Sequence, residues 1–182
     1  MFGTASSQWN HLTNNSDASN LSLTDDTGAA TSVELTFTRS GDGRANSIVG
    51  TYANLGISSV AADGSVTLSG LLADGTYKLA IFSAFGGTFT VGTANESASG
   101  SFLDWNSLNQ GTQYALFQSV TADGSGDLSF LGQNPTFGAG YWSAFQLQSE
   151  APPPLPEPSS VSLLGIGLAA LYANRRKAKP AA

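Results

Sequence analysis

Along the first 150 residues, apolar and polar side chains alternate in short stretches. In residues 32–39, Val33, Leu35 and Phe37 alternate with Glu34, Thr36 and Thr38, the period of a strand with one buried face. Residues 65–71 place Val66 and Leu68 between serines and threonines. In residues 75–84, Tyr77, Leu79 and Ile81 share one face, with Lys78, Ala80 and Phe82 opposite. That second face is apolar at one end, which predicts a central strand. Residues 87–91 offer Phe89 and Val91. Residues 112–121 offer Tyr114, Leu116 and Val120, with Phe117 on the other face. Leu128 and Phe130 in 127–131, and Phe145 and Leu147 in 141–148, continue the pattern. Asp63-Gly64, Asp74-Gly75 and Asp123-Gly124 punctuate it as turns, because glycine accepts positive φ and aspartate hydrogen-bonds its own backbone.

No part of the body sustains a long 3.6-residue period. Eight to ten short strands in this length predict an all-β domain over residues 1–150, a two-sheet antiparallel β-sandwich of jelly-roll type, with a closed barrel as the alternative. The predicted core includes Phe37, Leu79, Ile81, Phe130, Phe145 and Leu147. Trp9 and Trp142 fall in strand-like segments and are expected to be buried or half-buried.

After Glu150 the pattern changes. Residues 151–158 read APPPLPEP, with five of the seven prolines, an extended spacer outside the domain. Residues 161–173 carry no charge and have apolar residues around the whole circumference of a helix. That helix would be about 20 Å long, short against about 30 Å of hydrocarbon. A helix docked on the body is the alternative, but it would need a polar face. Arg175, Arg176, Lys177 and Lys179 follow and would sit on the cytoplasmic side of a membrane. Residues 159–182 therefore read as one C-terminal unit.

Charge sharpens the division. The body holds only Arg39, Arg44 and Lys78 against twelve acids, a net charge of −9, while four of the seven cations cluster in the tail. An acidic body with few cations argues against a nucleic-acid partner. Cysteine is absent and histidine occurs once, at His11. Thiolate chemistry and sites with two imidazoles are thereby excluded.

Few residues invite chemistry. His11 could join Asp17 or Asp104 and a serine, but no Gly-x-Ser-x-Gly elbow presents that serine. Carboxylate pairs among Asp25, Asp26, Glu34, Glu96 and Asp104 could serve a glycosidase, although Asp25-Asp26 reads as a turn. No catalytic residue is assigned and no cofactor is expected. Calcium prefers hard oxygen ligands, and Gly41-Asp42-Gly43 and the stretch from Asp123 to Asp127 are the best candidates for a structural ion, with turns as the alternative. Trp105 beside Asn106, and Tyr52 beside Asn54, are candidate sugar platforms, since carbohydrate binding needs aromatic faces flanked by neutral hydrogen-bonding groups.

Pro156-Glu157-Pro158, the apolar run and Arg175-Arg176-Lys177 occur in order and at compact spacing. Together they resemble a PEP-CTERM sorting signal. Within the body, Trp9-Asn10-His11-Leu12, the stretch from Ser69 to Tyr77, the stretch from Thr121 to Gly126, and Phe145-Gln146-Leu147 are similar to the β-rich domains common in that family, whose fold resembles a galactose-binding-like jelly roll. The resemblance implies a protein exported by a Gram-negative bacterium and processed by a membrane exosortase. It also implies residence in the cell envelope or extracellular matrix, association with exopolysaccharide or biofilm, and contact with the membrane through the C-terminal segment before processing. The reading is of a non-enzymatic surface or matrix protein; a carbohydrate-binding module and a small glycan-active hydrolase are the alternatives. Residues 1–6 show neither a basic n-region nor an apolar h-region, so the true start is expected upstream.

Overall fold

The computed structural model describes residues 17–44, 58–62, 64–101, 105, 107–136 and 140–150. The chain divides into two units, Met1–Glu150 and Ala151–Ala182, and all described residues lie in the first. His11, Tyr52, Asp104, Asn106, Trp9, the Pro156–Pro158 motif and the basic cluster at 175–177 lie outside the described residues.

Twelve antiparallel strands are described, and no helix is found among the described residues. β1 (Ala18–Thr24), β2 (Ala30–Phe37), β5 (Val66–Ser69), β10 (Leu128–Gln133), β7 (Gly87–Val91) and β8 (Ala94–Ala98) form a six-stranded sheet in that spatial order. Two three-stranded ladders make up the second layer. One runs β3 (Arg39–Arg44), β4 (Ser58–Ala62) and β11 (Tyr141–Trp142); the other runs β9 (Tyr114–Thr121), β6 (Thr76–Phe82) and β12 (Ala144–Ser149). Only Ser143 separates β11 from β12, and its N–H donates to the Phe82 carbonyl at 2.8 Å. The segment therefore pairs with β4 at its start and with β6 along the rest, joining both ladders into one sheet. The molecule is a two-sheet antiparallel sandwich, as the alternation predicts.

All seven predicted stretches are strands, and β6 is central, between β12 and β9. Most connections cross between layers. The shortest is at Thr38, where the chain leaves β2 in one sheet and enters β3 in the other, as strands do at sandwich corners.

The main core lies between the layers. Leu35, Phe37, Leu68, Phe89, Leu128 and Phe130 come from the six-stranded sheet, and Tyr77, Leu79, Ile81, Phe117, Val120 and Trp142 from the other. Trp142 anchors the middle, edge-on to Phe37 at 5.3 Å and to Phe130 at 5.9 Å between ring centroids. Edge-to-face rings gain beyond their burial. Phe145 and Leu147, expected in the core, are only half-buried and pack against its margin.

The predicted faces of β9 need one correction. Tyr77 pairs with Val120 but Leu79 pairs with Phe117, so β9 carries an extra residue there. This bulge moves Val120 onto the face of Phe117, because one added residue inverts the period of two. Tyr114 and Leu116 then face a second apolar cluster with Ala80, Phe82 and Trp105.

Candidate functional site

Candidate chemistry in the body rests on carboxylates, turns and aromatic rings, and among the described residues it depends on where local hydrogen bonds go. Asp25-Asp26-Thr27-Gly28-Ala29 and Asp123-Gly124-Ser125-Gly126-Asp127 fold into the same loop. In each, the first N–H donates to the fifth carbonyl and the fourth N–H to the first carbonyl. The first aspartate's Oδ1 accepts from the third and fifth amides, at 2.8–3.0 Å. The fourth residue is a glycine at φ +88° or +82°, which a side chain rarely adopts. Aspartate starts such loops because its carboxylate reaches the amide two residues on.

These bonds favour the ionised form. The Thr27 hydroxyl, then the Ala29 and Thr27 amides, hold the Asp25 carboxyl below the ordinary aspartate value. The Asp127 and Ser125 amides do the same for Asp123. One oxygen of Asp123 is thus already committed to the backbone. Among the described residues, no group of three or more His, Asp or Glu side chains is placed to hold a metal. Gly41-Asp42-Gly43 lies inside strand β3, paired to β4, rather than in a loop.

The segment from Asp123 to Asp127 is also locked to the β5–β6 connection. Leu71 N–H donates to the Gly126 carbonyl at 3.0 Å, Ala122 N–H to Gly75 at 2.9 Å, and Asp74 N–H to Asp123 at 3.2 Å. The Tyr77 hydroxyl accepts from Leu72 N–H at 2.9 Å. A Cβ on Gly126 would run into the Leu71 carbonyl oxygen. The stretches 69–77 and 121–126, both noted in the sequence, are therefore one interlocked corner of the fold. Within it, the Asp123 carboxylate holds its own turn.

Trp105 is fully buried, at 0% exposure. Its indole N–H donates to the Ser101 carbonyl at 2.9 Å, and its ring packs with Ala80, Phe82, Ala84, Tyr114 and Leu116. The loop before β9 thus covers the outer apolar face of β6. This corrects the expectation of a sugar platform at Trp105, since no ring face is left for a ligand. Asp104 and Asn106 beside it in sequence gave a polar signal that the tertiary packing overrides. Asp17, considered as a partner for His11, accepts the Arg39 N–H at 2.8 Å.

One feature was missed at the level of sequence. The six-stranded sheet turns a largely polar face to solvent, on which short hydroxyl and amide side chains bond across strands and Glu34 stands beside Thr36 on β2. Asn20 N–H donates to Thr36 Oγ1 at 3.0 Å, and Thr36 Oγ1 donates to Asn20 Oδ1 at 3.2 Å. Thr67 and Ser129 hydroxyls meet at 2.8 Å, Thr88 and Ser97 at 3.0 Å. Thr90 Oγ1 donates to Asn95 Oδ1 at 2.6 Å. Thr36, Thr67 and Ser129 are aligned across three neighbouring strands. None of the six strands contains lysine or arginine. The alternating polar positions were visible as strand faces, but their alignment follows only from register.

Residues 154–177 match the PEP-CTERM protein-sorting motif. No curated protein and no solved structure matches the chain. Among the described residues no helix is long and apolar enough to cross a membrane; the apolar run at 161–173 lies outside them.

Proposed function

We propose that this chain is an exported, non-enzymatic bacterial surface or matrix protein, sorted by a membrane exosortase that reads its C-terminal signal. The match of residues 154–177 to the sorting motif carries the reading. Pro156-Glu157-Pro158 serves as the recognition element. The uncharged run is too short to anchor strongly against about 30 Å of hydrocarbon, which suits a segment held briefly and then removed. Arg175, Arg176 and Lys177 hold the end on the cytoplasmic side. The sandwich is the cargo, and it works in the envelope or among exopolysaccharide. Its well-placed carboxylates support this reading, because Asp25 and Asp123 are engaged by their own loops.

The test places the chain behind an export signal in a host that carries an exosortase, with the mature C-terminus read by mass spectrometry. The wild-type chain is expected to lose its end, and Glu157→Ala to retain it. Retention of residues 159–182 by the wild-type chain in that host would refute the sorting role.

A further inference from the structure

We propose that β12 is a mechanical anchor: the sandwich resists a pull on its C-terminal segment directed along β12 far more than a pull directed across it. This goes beyond the sorting role and concerns how the body is held through that segment. β12 pairs with β6 over six consecutive residue pairs, from Ala144 with Phe82 to Ser149 with Tyr77, without a shift of register. The Glu150 N–H closes the ladder on the Thr76 carbonyl at 2.8 Å, and the chain leaves the body at that rung. Antiparallel ladder bonds lie perpendicular to the strands, so a pull along β12 loads every rung at once. A pull across β12 at Glu150 opens the rungs one after another.

Two further features oppose sliding. Upstream of β12, Trp142 is buried in the middle of the core, against Phe37 and Phe130. β12 can move toward its C-terminal end only by drawing that indole out past both rings. The Tyr141 carbonyl before it accepts from the buried Ser83 hydroxyl at 2.5 Å. Across the ladder, β6 is braced where the load leaves. Gly75 and Asp74, just before Thr76, bond to Ala122 and Asp123, and Leu71 bonds to Gly126, so β6 cannot follow β12. The stretches 69–77 and 121–126 thus act as the brace of this joint. β1, the first described strand, is built differently. Its ladder to β2 shifts register twice, and residues 19–22 are exposed. A ladder locally disrupted in this way cannot share a load evenly.

The test is single-molecule pulling of the full chain in mild detergent. The chain has no cysteine, so paired cysteine substitutions place the handles. Ala151→Cys with Gln133→Cys, at the end of β10 remote from the corner, loads β12 along its axis. Ala151→Cys with Ala73→Cys, in the exposed turn before β6, loads it across. The axial pull shares its load over six pairs, whereas the cross pull bears on the last rung alone. The axial pull should therefore need a severalfold higher force at the same loading rate, since forced unfolding is governed by the rate of opening. Trp142→Ala should lower the axial force and leave the cross force unchanged, because the cross force is set at the rung between Glu150 and Thr76. Circular dichroism confirms that each variant is folded; if Trp142→Ala is not, the comparison of the two directions without it decides. Equal forces in the two directions, a weaker axial joint, or an axial force unmoved by a folded Trp142→Ala variant would overturn the proposal. No exosortase takes part, so these outcomes leave the sorting reading untouched.

Discussion

Replacing Trp105 and Trp142 by phenylalanine, one at a time, separates packing from hydrogen bonding in this domain. Both indoles are buried, and both substitutions remove the same atoms. Their N–H groups differ. Trp105 donates to the Ser101 carbonyl, whereas Trp142 Nε1 is buried without a hydrogen-bond partner. Trp105→Phe gives up a made bond, worth about 0.5–1.5 kcal/mol net, while Trp142→Phe removes an unpaired donor that costs about 1–3 kcal/mol where it stands. The same ring atoms are deleted from a buried site in each case, so the bonding terms decide the order. Trp105→Phe should be the more destabilising by about 1.5–4.5 kcal/mol. For a domain of this size that is roughly 3–18 °C in thermal midpoint. Urea denaturation followed by far-UV circular dichroism measures both, with equal m-values confirming that the same surface is exposed. Trp105→Ala should cost about 3–5 kcal/mol. If Trp105→Ala left the midpoint within the error of the wild type, the ring would not be buried under the loop, and the account of the second apolar cluster would fail.

Leu79→Ala, at a position with no exposure, should cost about 2–5 kcal/mol, and Leu147→Ala at the core margin clearly less; equal costs in chemical denaturation would mean the margin is misplaced. Gly126→Ala should cost roughly 1–3 kcal/mol, because its φ of +82° is strained for a side chain and the Leu71 carbonyl stands in the way; a neutral result would refute the interlocked corner. The Asp25 and Asp123 carboxyls are held below their ordinary value of 3.8 in the fold. Their contribution is present above that pH and is lost as pH falls through the lower folded value. Asp25→Asn with Asp123→Asn should flatten the acid limb of a stability profile below about pH 4, and an unchanged limb would show that these bonds do not bear on stability. Ending the chain at Glu150 should leave the midpoint nearly unchanged, since the described core draws only on residues before that point; a fall beyond about 10 °C would place the tail in the core.

The sequence by itself determined the local elements. Alternation marked β2, β5, β6, β7, β9, β10 and the β11–β12 segment because each buries one face, and aspartate with glycine marked the loops because their geometry is set within five residues. The sorting motif was also legible, being a linear signal whose parts act in order. Four strands were not. β1, β3, β4 and β8 read ASNLSLT, SGDGR after Arg39, SSVAA and ANESA. These carry too few apolar residues in alternation to show a period of two, and β1, β3 and β8 lie at sheet edges. Tertiary structure alone decided the rest. The β9 bulge inverted the face of Val120, the loop before β9 folded Trp105 over the back of β6, and register lined up Thr36, Thr67 and Ser129 from distant parts of the chain. The physical reason is range. Periodicity reports which side of a strand is apolar, but which strands become neighbours, and what covers an outer face, depends on hydrogen bonds and contacts between residues far apart in sequence.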